Sequence, residues 1–160
     1  MSREWIALGA FIAICFLAAA IGSWFTAASV KSWYPTLMKP AGTPPAWMFG
    51  PVWSTLYLLM ATAAWLVWKQ RSAADMTVPL ALFFTQLALN ATWSFLFFGL
   101  RRPGLALLEI CALFAAIIAT ITNFAQFSRT AFWLMIPYAV WVSYASFLNF
   151  GIWRLNRGAL

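Results

Sequence analysis

This chain predicts an all-α integral membrane bundle of five transmembrane helices, on three observations. Of its 160 residues, 64% are hydrophobic and 8% charged. A soluble domain carries about a quarter charged residues, so a water-facing surface cannot be built from this composition. Five apolar runs, at about 5–26, 46–68, 78–99, 104–126 and 130–152, match the roughly 20 residues needed to cross ~30 Å of hydrocarbon. The ten Lys/Arg lie one or two at a time between those runs, as membrane anchors do. Residues 1–160 therefore read as a single membrane domain.

The first run follows Arg3 and Glu4 and shows no small-residue cleavage site leading into a polar region, so it is expected to be a retained helix. The connector after it, about 27–45, reads AASVKSWYPTLMKPAGTPP. It is too long for a tight turn and too rich in proline and aromatics for a floppy linker. Proline limits the freedom a loop loses on taking a fixed shape, so this stretch is expected to form a stiff lid over one end of the bundle. Trp33 and Tyr34 fit either that lid or an interfacial aromatic belt. The second helix opens on PPAWMFGPVW, where Pro44 and Pro45 end the lid and start the helix. Pro51, a turn or two inside, is expected to bend it and set the direction of Trp53, while Trp47 fits the belt.

The remaining helices are separated by KQRSAADMT (69–77), RRPG (101–104) and the region of Ser128 and Arg129. Pro79 and Pro103 stand near helix starts, where a missing N–H costs little. Pro137 lies inside the fifth run and is expected to loosen or kink it. Five helices place the termini on opposite sides. Lys31, Lys39, Arg101, Arg102, Arg154 and Arg157 fall on one side, and Arg3, Lys69, Arg71 and Arg129 on the other. Six against four puts the first connector and the C-terminus in the cytoplasm by the positive-inside rule.

Several function classes are excluded. A net charge of +7 on a soluble protein would suggest nucleic acid, but scattered membrane anchors do not. There is no histidine, so His-based catalysis is impossible, the commonest metal and haem ligand is missing, and no metal site is expected. Cys15 and Cys111 lie inside apolar runs without a CxxC partner and read as buried small hydrophobes. Glu109 is the one carboxylate within an apolar run; it stands two turns past Arg101 and Arg102 and is expected to snorkel or pair with them. Serine and threonine have no activating base, and no glycine-rich phosphate loop is present.

What remains is aromatic. The chain holds eleven tryptophans, more than a belt needs. Trp53 and Tyr57 are i and i+4 on the second helix. Asn90, Trp93 and Phe97 share a face of the third, and Tyr138, Trp141 and Ala145 a face of the fifth, with Asn149 one turn further. Facing inward, these stripes would line an apolar pocket with a few polar anchors, suited to a flat, conjugated ligand. Facing elsewhere, they are packing, with the amides as interhelical glue.

The segments WYPTLMKPAGTPPAWMFGPVWSTLY (33–57), QLALNATWSFLFFG (86–99) and PYAVWVSYASFLNFGIWRLN (137–156), with IGSWF (21–25) ahead of them, together resemble the TspO/translocator protein family. Its members are also called tryptophan-rich sensory proteins or peripheral benzodiazepine receptors. The resemblance implies a five-helix bundle, usually a homodimer in a multi-pass membrane setting (here a bacterial cell envelope), with a ligand cavity capped by the first loop. It implies no bound cofactor, but a porphyrin ligand, notably protoporphyrin IX, or another flat hydrophobe such as a sterol or a benzodiazepine-site drug. By motif, Trp53 in GPVW and Trp141 in PYAVW match tryptophans tied to porphyrin binding and to its light- and oxygen-dependent breakdown. A porphyrin-degrading enzyme and a porphyrin or sterol carrier are thus the alternatives to a receptor. Ala145 matches a small residue that affects ligand binding. Trp33, Tyr57, Asn90, Trp93, Tyr138 and Leu148 complete the implied site. Two departures stand out. In the sterol-motif-like run Leu148, Phe150, Arg154, phenylalanine replaces the family's tyrosine. The glycine pair implicated in dimer packing reads Ala81 and Thr85.

Overall fold

The computed structural model describes residues 3–158. Five helices, α1 (Arg3–Ser32), α2 (Ala46–Trp68), α3 (Thr77–Ser94), α4 (Pro103–Ala125) and α5 (Arg129–Asn156), are each long and apolar enough to cross a membrane. Strands are absent among the described residues. The helices pack in a ring, with contacts running α1–α2–α5–α4–α3 and back to α1.

Helix ends follow from local chemistry. α1 runs six residues past the expected 26, so the lid shortens to 33–45. Hydroxyls on either side of the expected boundary are satisfied within the helix: Thr26 Oγ1 donates to Gly22 O at 2.8 Å and Ser32 Oγ to Ala28 O at 2.6 Å. Pro35 then disfavours further helix. α2 starts after Pro45 and stays helical through Pro51, as α5 does through Pro137. Ser128 caps α5, its Oγ accepting from Ala131 N. α5 continues to Asn156, four residues beyond the apolar run. The third helix is not uniform: after Ser94 it widens into a π-helical turn, Phe95–Gly99.

The two ends of the ring differ. At the end holding the N-terminus the centre is solid, filled by Met60, Phe83, Phe124 and Met135, all fully buried. Here Trp65 Nε1 donates to Glu4 O at 2.9 Å, and Lys69 pairs with Glu4 at 3.5 Å. The opposite end, holding the lid and the C-terminal end of α5, is hollow. Two expectations need correction. Cys111 is exposed on the outer face while Cys15 is buried. Glu109 makes no pair with Arg101 or Arg102; its carboxylate oxygens are enclosed and without a partner, whereas both arginines stay in the exposed connector.

Candidate functional site

The hollow end is a cavity of about 430 Å³ to which every helix and the lid contribute. Phe49, Trp53 and Tyr57, four residues apart on α2, form one wall. Asn90, Trp93 and Phe97 of the third helix and Trp141, Ala145 and Leu148 of α5 form others. Trp53 lies 5.6 Å from the Tyr57 ring, and Trp141 meets Phe49 edge-on at 6.0 Å.

The floor is a hydrogen-bonded chain across three helices. The Tyr57 hydroxyl donates to Asn90 Oδ1 at 2.6 Å, and Asn90 Nδ2 donates to the Tyr138 hydroxyl at 3.0 Å. A second amide braces the other side: Trp93 Nε1 donates to Asn149 Oδ1 at 3.0 Å, and Asn149 Nδ2 donates to Pro103 O at 2.8 Å. In hydrocarbon such groups must find partners inside the protein, and here each amide ties its own helix to two others.

The π-helical turn shapes the third wall. Leu100 N donates to Phe95 O at 2.8 Å, spanning five residues, and the added residue brings both Phe97 and Phe98 to the lining. The Phe98 carbonyl would look to residue 103 in this register, but proline has no N–H to give. Ser29 Oγ supplies the bond at 2.6 Å and thereby ties α1 to this turn.

The lid is latched to α5. Asn156 Oδ1 accepts from Met38 N at 3.0 Å, and its Nδ2 donates to Met38 O at 2.9 Å. The Tyr144 hydroxyl donates to Gly42 O at 2.6 Å, where the glycine adopts a φ of 87° that disfavours other residues. Pro40 sits so close to Gly151 that a Cβ there would lie 2.8 Å from Pro40 Cγ. Beneath these contacts Leu37 plugs the ring end against Phe97, Ala106 and Ile152.

Among the residues singled out from sequence, Trp53, Tyr57, Asn90, Trp93, Trp141, Ala145 and Leu148 line the cavity. Trp33 does not; it packs edge-on against Phe97 at 5.7 Å behind the lining, and Tyr34 holds the lining position. Burial pushes the Tyr34 phenol above its ordinary value of 10, so it stays neutral. Tyr138 does not line the cavity; it is the fully buried end of the floor chain, edge-on to Trp53 at 6.2 Å. Leu148, Phe150 and Arg154 do not converge, because residues two apart point to different sides of a helix: Leu148 faces the cavity, while Phe150 and Arg154 are exposed.

The contribution of α1, where Gly22, Ser23, Thr26 and Ala27 line the cavity, is not among the residues singled out from sequence. Small residues give no aromatic signal. Gly22 is needed for close approach, since a Cβ there would lie 3.1 Å from Ser94 Oγ. The exposed members of the lining, Ser23 and Ala27 on α1 and Ala46, Gly50 and Ser54 on α2, lie along one seam, so the cavity opens sideways between these helices. The lining carries no charged side chain and no nucleophile–base pair. No cluster of metal-ligating side chains occurs among the described residues. The chemistry offered is apolar and aromatic contact with a few hydrogen bonds, a composition typical of small-molecule sites.

Comparison with known proteins agrees with this architecture. The model of the TspO/MBR family matches residues 11–154. The chain is 39% identical to the tryptophan-rich protein TspO of Chlorobaculum tepidum, over 98% of this chain and 99% of that protein. It is 38% identical to the human translocator protein, over 99% and 95% respectively. With the tryptophan-rich protein TspO of Archaeoglobus fulgidus it shares 46% identity, over 94% and 91%.

Proposed function

The chain belongs to the TspO/MBR family, and from that premise we propose that it is a receptor-like membrane protein whose cavity binds a flat, conjugated tetrapyrrole, with metal-free protoporphyrin IX the favoured ligand. The observation that carries this reading is the cavity itself, walled by Trp53, Tyr57, Trp93 and Trp141 beneath a latched lid. Its volume of about 430 Å³ falls within the range of small-molecule sites, roughly 300–1,000 Å³. Its flat walls favour offset stacking on an extended ring system. Asn90 and Asn149 are the polar anchors, and Ala145 and Leu148 leave room between the aromatic walls. The sideways opening between α1 and α2 faces hydrocarbon, where a hydrophobic ligand concentrates, and lets part of a large ring protrude. With no charged group in the lining, the acid substituents stay at the interface, on the side of Lys31 and Lys39. The absence of histidine from the sequence favours the metal-free ring over haem.

The same reading places the lid and the C-terminus in the cytoplasm and pairs two copies through the outer face of α3, where Ala81 and Thr85 are exposed and small enough for close helix approach. The test is a titration of protoporphyrin IX followed by tryptophan fluorescence, in the wild type and in Trp53→Phe/Trp141→Phe. Affinity is expected to fall about ten-fold or more as two stacking faces shrink, each worth roughly 0.5–1.5 kcal/mol. Unchanged affinity in the double variant overturns the site.

A further inference from the structure

A second cleft lies outside the ring, where α4 begins and α5 ends. It measures about 660 Å³ and is lined by Arg101, Arg102, Arg157, Trp153, Gly104 and a row of leucines. Its polar side chains are all donors. Three arginines line it, and among the described residues no carboxylate pairs with any of them; the ion pair that forms, Lys69–Glu4, is at the other end of the bundle. Glu109, the nearest acid along α4, has its oxygens enclosed in the protein. The Trp153 indole lies against Gly104, where a Cβ would meet Nε1 at 3.0 Å. That N–H has no acceptor among the described residues. Arg157 lies over the same indole at 4.7 Å. The backbone N–H groups of Gly104 and Leu105, in the first turn of α4, add donors that no intrahelical carbonyl can take up.

The apolar side of the cleft is as one-sided as the polar side. Leu105 is 45% exposed and Leu108 71% exposed, in the first and second turns of α4 on the outer face. The cleft thus has a strongly basic mouth at the level of the connector and an apolar track running from it into the hydrocarbon. A free soluble anion uses only the mouth; a molecule with a phosphate head and acyl chains uses both.

We propose that this cleft is a binding site for an anionic phospholipid. Its phosphate is held by Arg101, Arg102 and Arg157 with the Trp153 N–H, and one acyl chain lies along Leu105 and Leu108. Guanidinium groups suit phosphate because they present several N–H donors in a fixed plane, and basic pockets between helices at the membrane surface are where anionic headgroups bind. The site is separate from the aromatic cavity and does not depend on what that cavity binds.

The experiment is native mass spectrometry of the full-length protein in detergent, counting retained lipids as phosphatidylglycerol or phosphatidylcholine is titrated. Wild type is expected to hold phosphatidylglycerol in preference to phosphatidylcholine. The Arg101→Gln/Arg102→Gln/Arg157→Gln variant is expected to lose that preference, at roughly five-fold per arginine. Lys69→Gln/Arg71→Gln, at the other end, keeps it. Arg157→Gln alone, an exposed position just past the end of α5, removes one guanidinium and its contact with the Trp153 indole without touching the buried core, and is expected to weaken retention about five-fold. It decides the matter if the triple variant does not fold. Equal retention by wild type and Arg157→Gln, equal retention of the two lipids, or displacement of phosphatidylglycerol by equimolar glycerol 3-phosphate would each overturn the proposal, the last by assigning the site to a free phosphate.

Discussion

Two amides one turn apart on α3 are predicted to respond to the same substitution with opposite signs. Asn90 accepts from the Tyr57 hydroxyl and donates to the Tyr138 hydroxyl. Gln86 is fully buried, and neither its oxygen nor its nitrogen has a partner. Leucine is close in size to both. Asn90→Leu deletes two interhelical hydrogen bonds, each worth about 0.6–1.7 kcal/mol in a membrane interior. It also strands the Tyr57 hydroxyl, at a further cost of about 1 kcal/mol or more. The expected loss is about 2–4 kcal/mol. Gln86→Leu deletes no hydrogen bond and removes a polar group whose burial is uncompensated, so it is expected to be neutral or to stabilise by about 1 kcal/mol.

Reversible unfolding in one detergent, followed by helical circular dichroism, measures both values. A third variant separates the hydrogen-bond chain from packing. In Tyr57→Phe/Asn90→Leu/Tyr138→Phe all three partners become apolar and nothing is stranded. It should therefore lose less than Asn90→Leu alone, although it carries more substitutions. If the triple variant is the less stable of the two, or if Gln86→Leu costs as much as Asn90→Leu, the account of the floor as a satisfied network above an unsatisfied amide is refuted.

Three further outcomes are expected. Asn156→Ala removes both bonds to the Met38 main chain and frees the lid; hydrogen exchange at residues 36–40 should quicken about ten-fold, as loss of about 1–2 kcal/mol implies, while the solid end of the bundle is unchanged. Gly151→Val drives a side chain into Pro40, already 2.8 Å from where a Cβ would stand, and should loosen the same segment; unaltered exchange there would mean that the lid does not rest on α5. The Asp75 carboxylate accepts from Thr77 N at 2.9 Å and Thr77 Oγ1 at 2.7 Å, which holds it below its ordinary 3.8. Its folded value being depressed, its contribution is present above about pH 4 and is lost as pH falls through the lowered value. Amide exchange at the start of α3 should rise with acid beyond its intrinsic pH dependence, and Thr77→Val should abolish that excess.

The helices were legible because hydrocarbon thickness imposes one length on every apolar run; α2, Ala46–Trp68, shows it directly. Helix ends are legible where proline intervenes, as at the start of α2, and obscure where hydroxyls do, as at the end of α1. Ser29 and Ser32 read as loop residues, yet each donates to a main-chain carbonyl, of Phe98 and of Ala28. The aromatic side of the cavity was visible as helical spacing, since large rings on one face must be put somewhere. The α1 side was not, because Gly22, Ser23 and Ala27 shape a cavity by what they leave empty. The displacement of Trp33 by Tyr34 has the same origin: a single 3₁₀ turn, Tyr34–Thr36, rotates neighbouring side chains in a way no periodicity encodes. The π-helical turn at Phe95–Gly99 is likewise local, and its one sequence correlate is Pro103, which withholds the N–H that Phe98 needs.

Solid and hollow ends then follow from a gradient along α2. Toward its C-terminal end the residues facing the ring centre are Met60, Ala61, Ala64 and Val67, all fully buried. Ala61 and Ala64 let neighbouring helices approach there, and Met60 with Phe83, Phe124 and Met135 fills the centre that remains. Toward its N-terminal end the inward residues are Phe49, Trp53 and Tyr57. Rings of that size hold α5 and the third helix off, and Trp53 does so while leaning on both Tyr57 and Tyr138. A gap propped open in this way would collapse if the props could swing, because an empty apolar cavity forfeits dispersion contacts. The polar groups prevent that. Tyr57 is pinned to Asn90, and Trp93 to Asn149. Their hydrogen bonds fix the direction of the rings that form the walls, so the amides define the shape of the cavity as much as they join the helices around it.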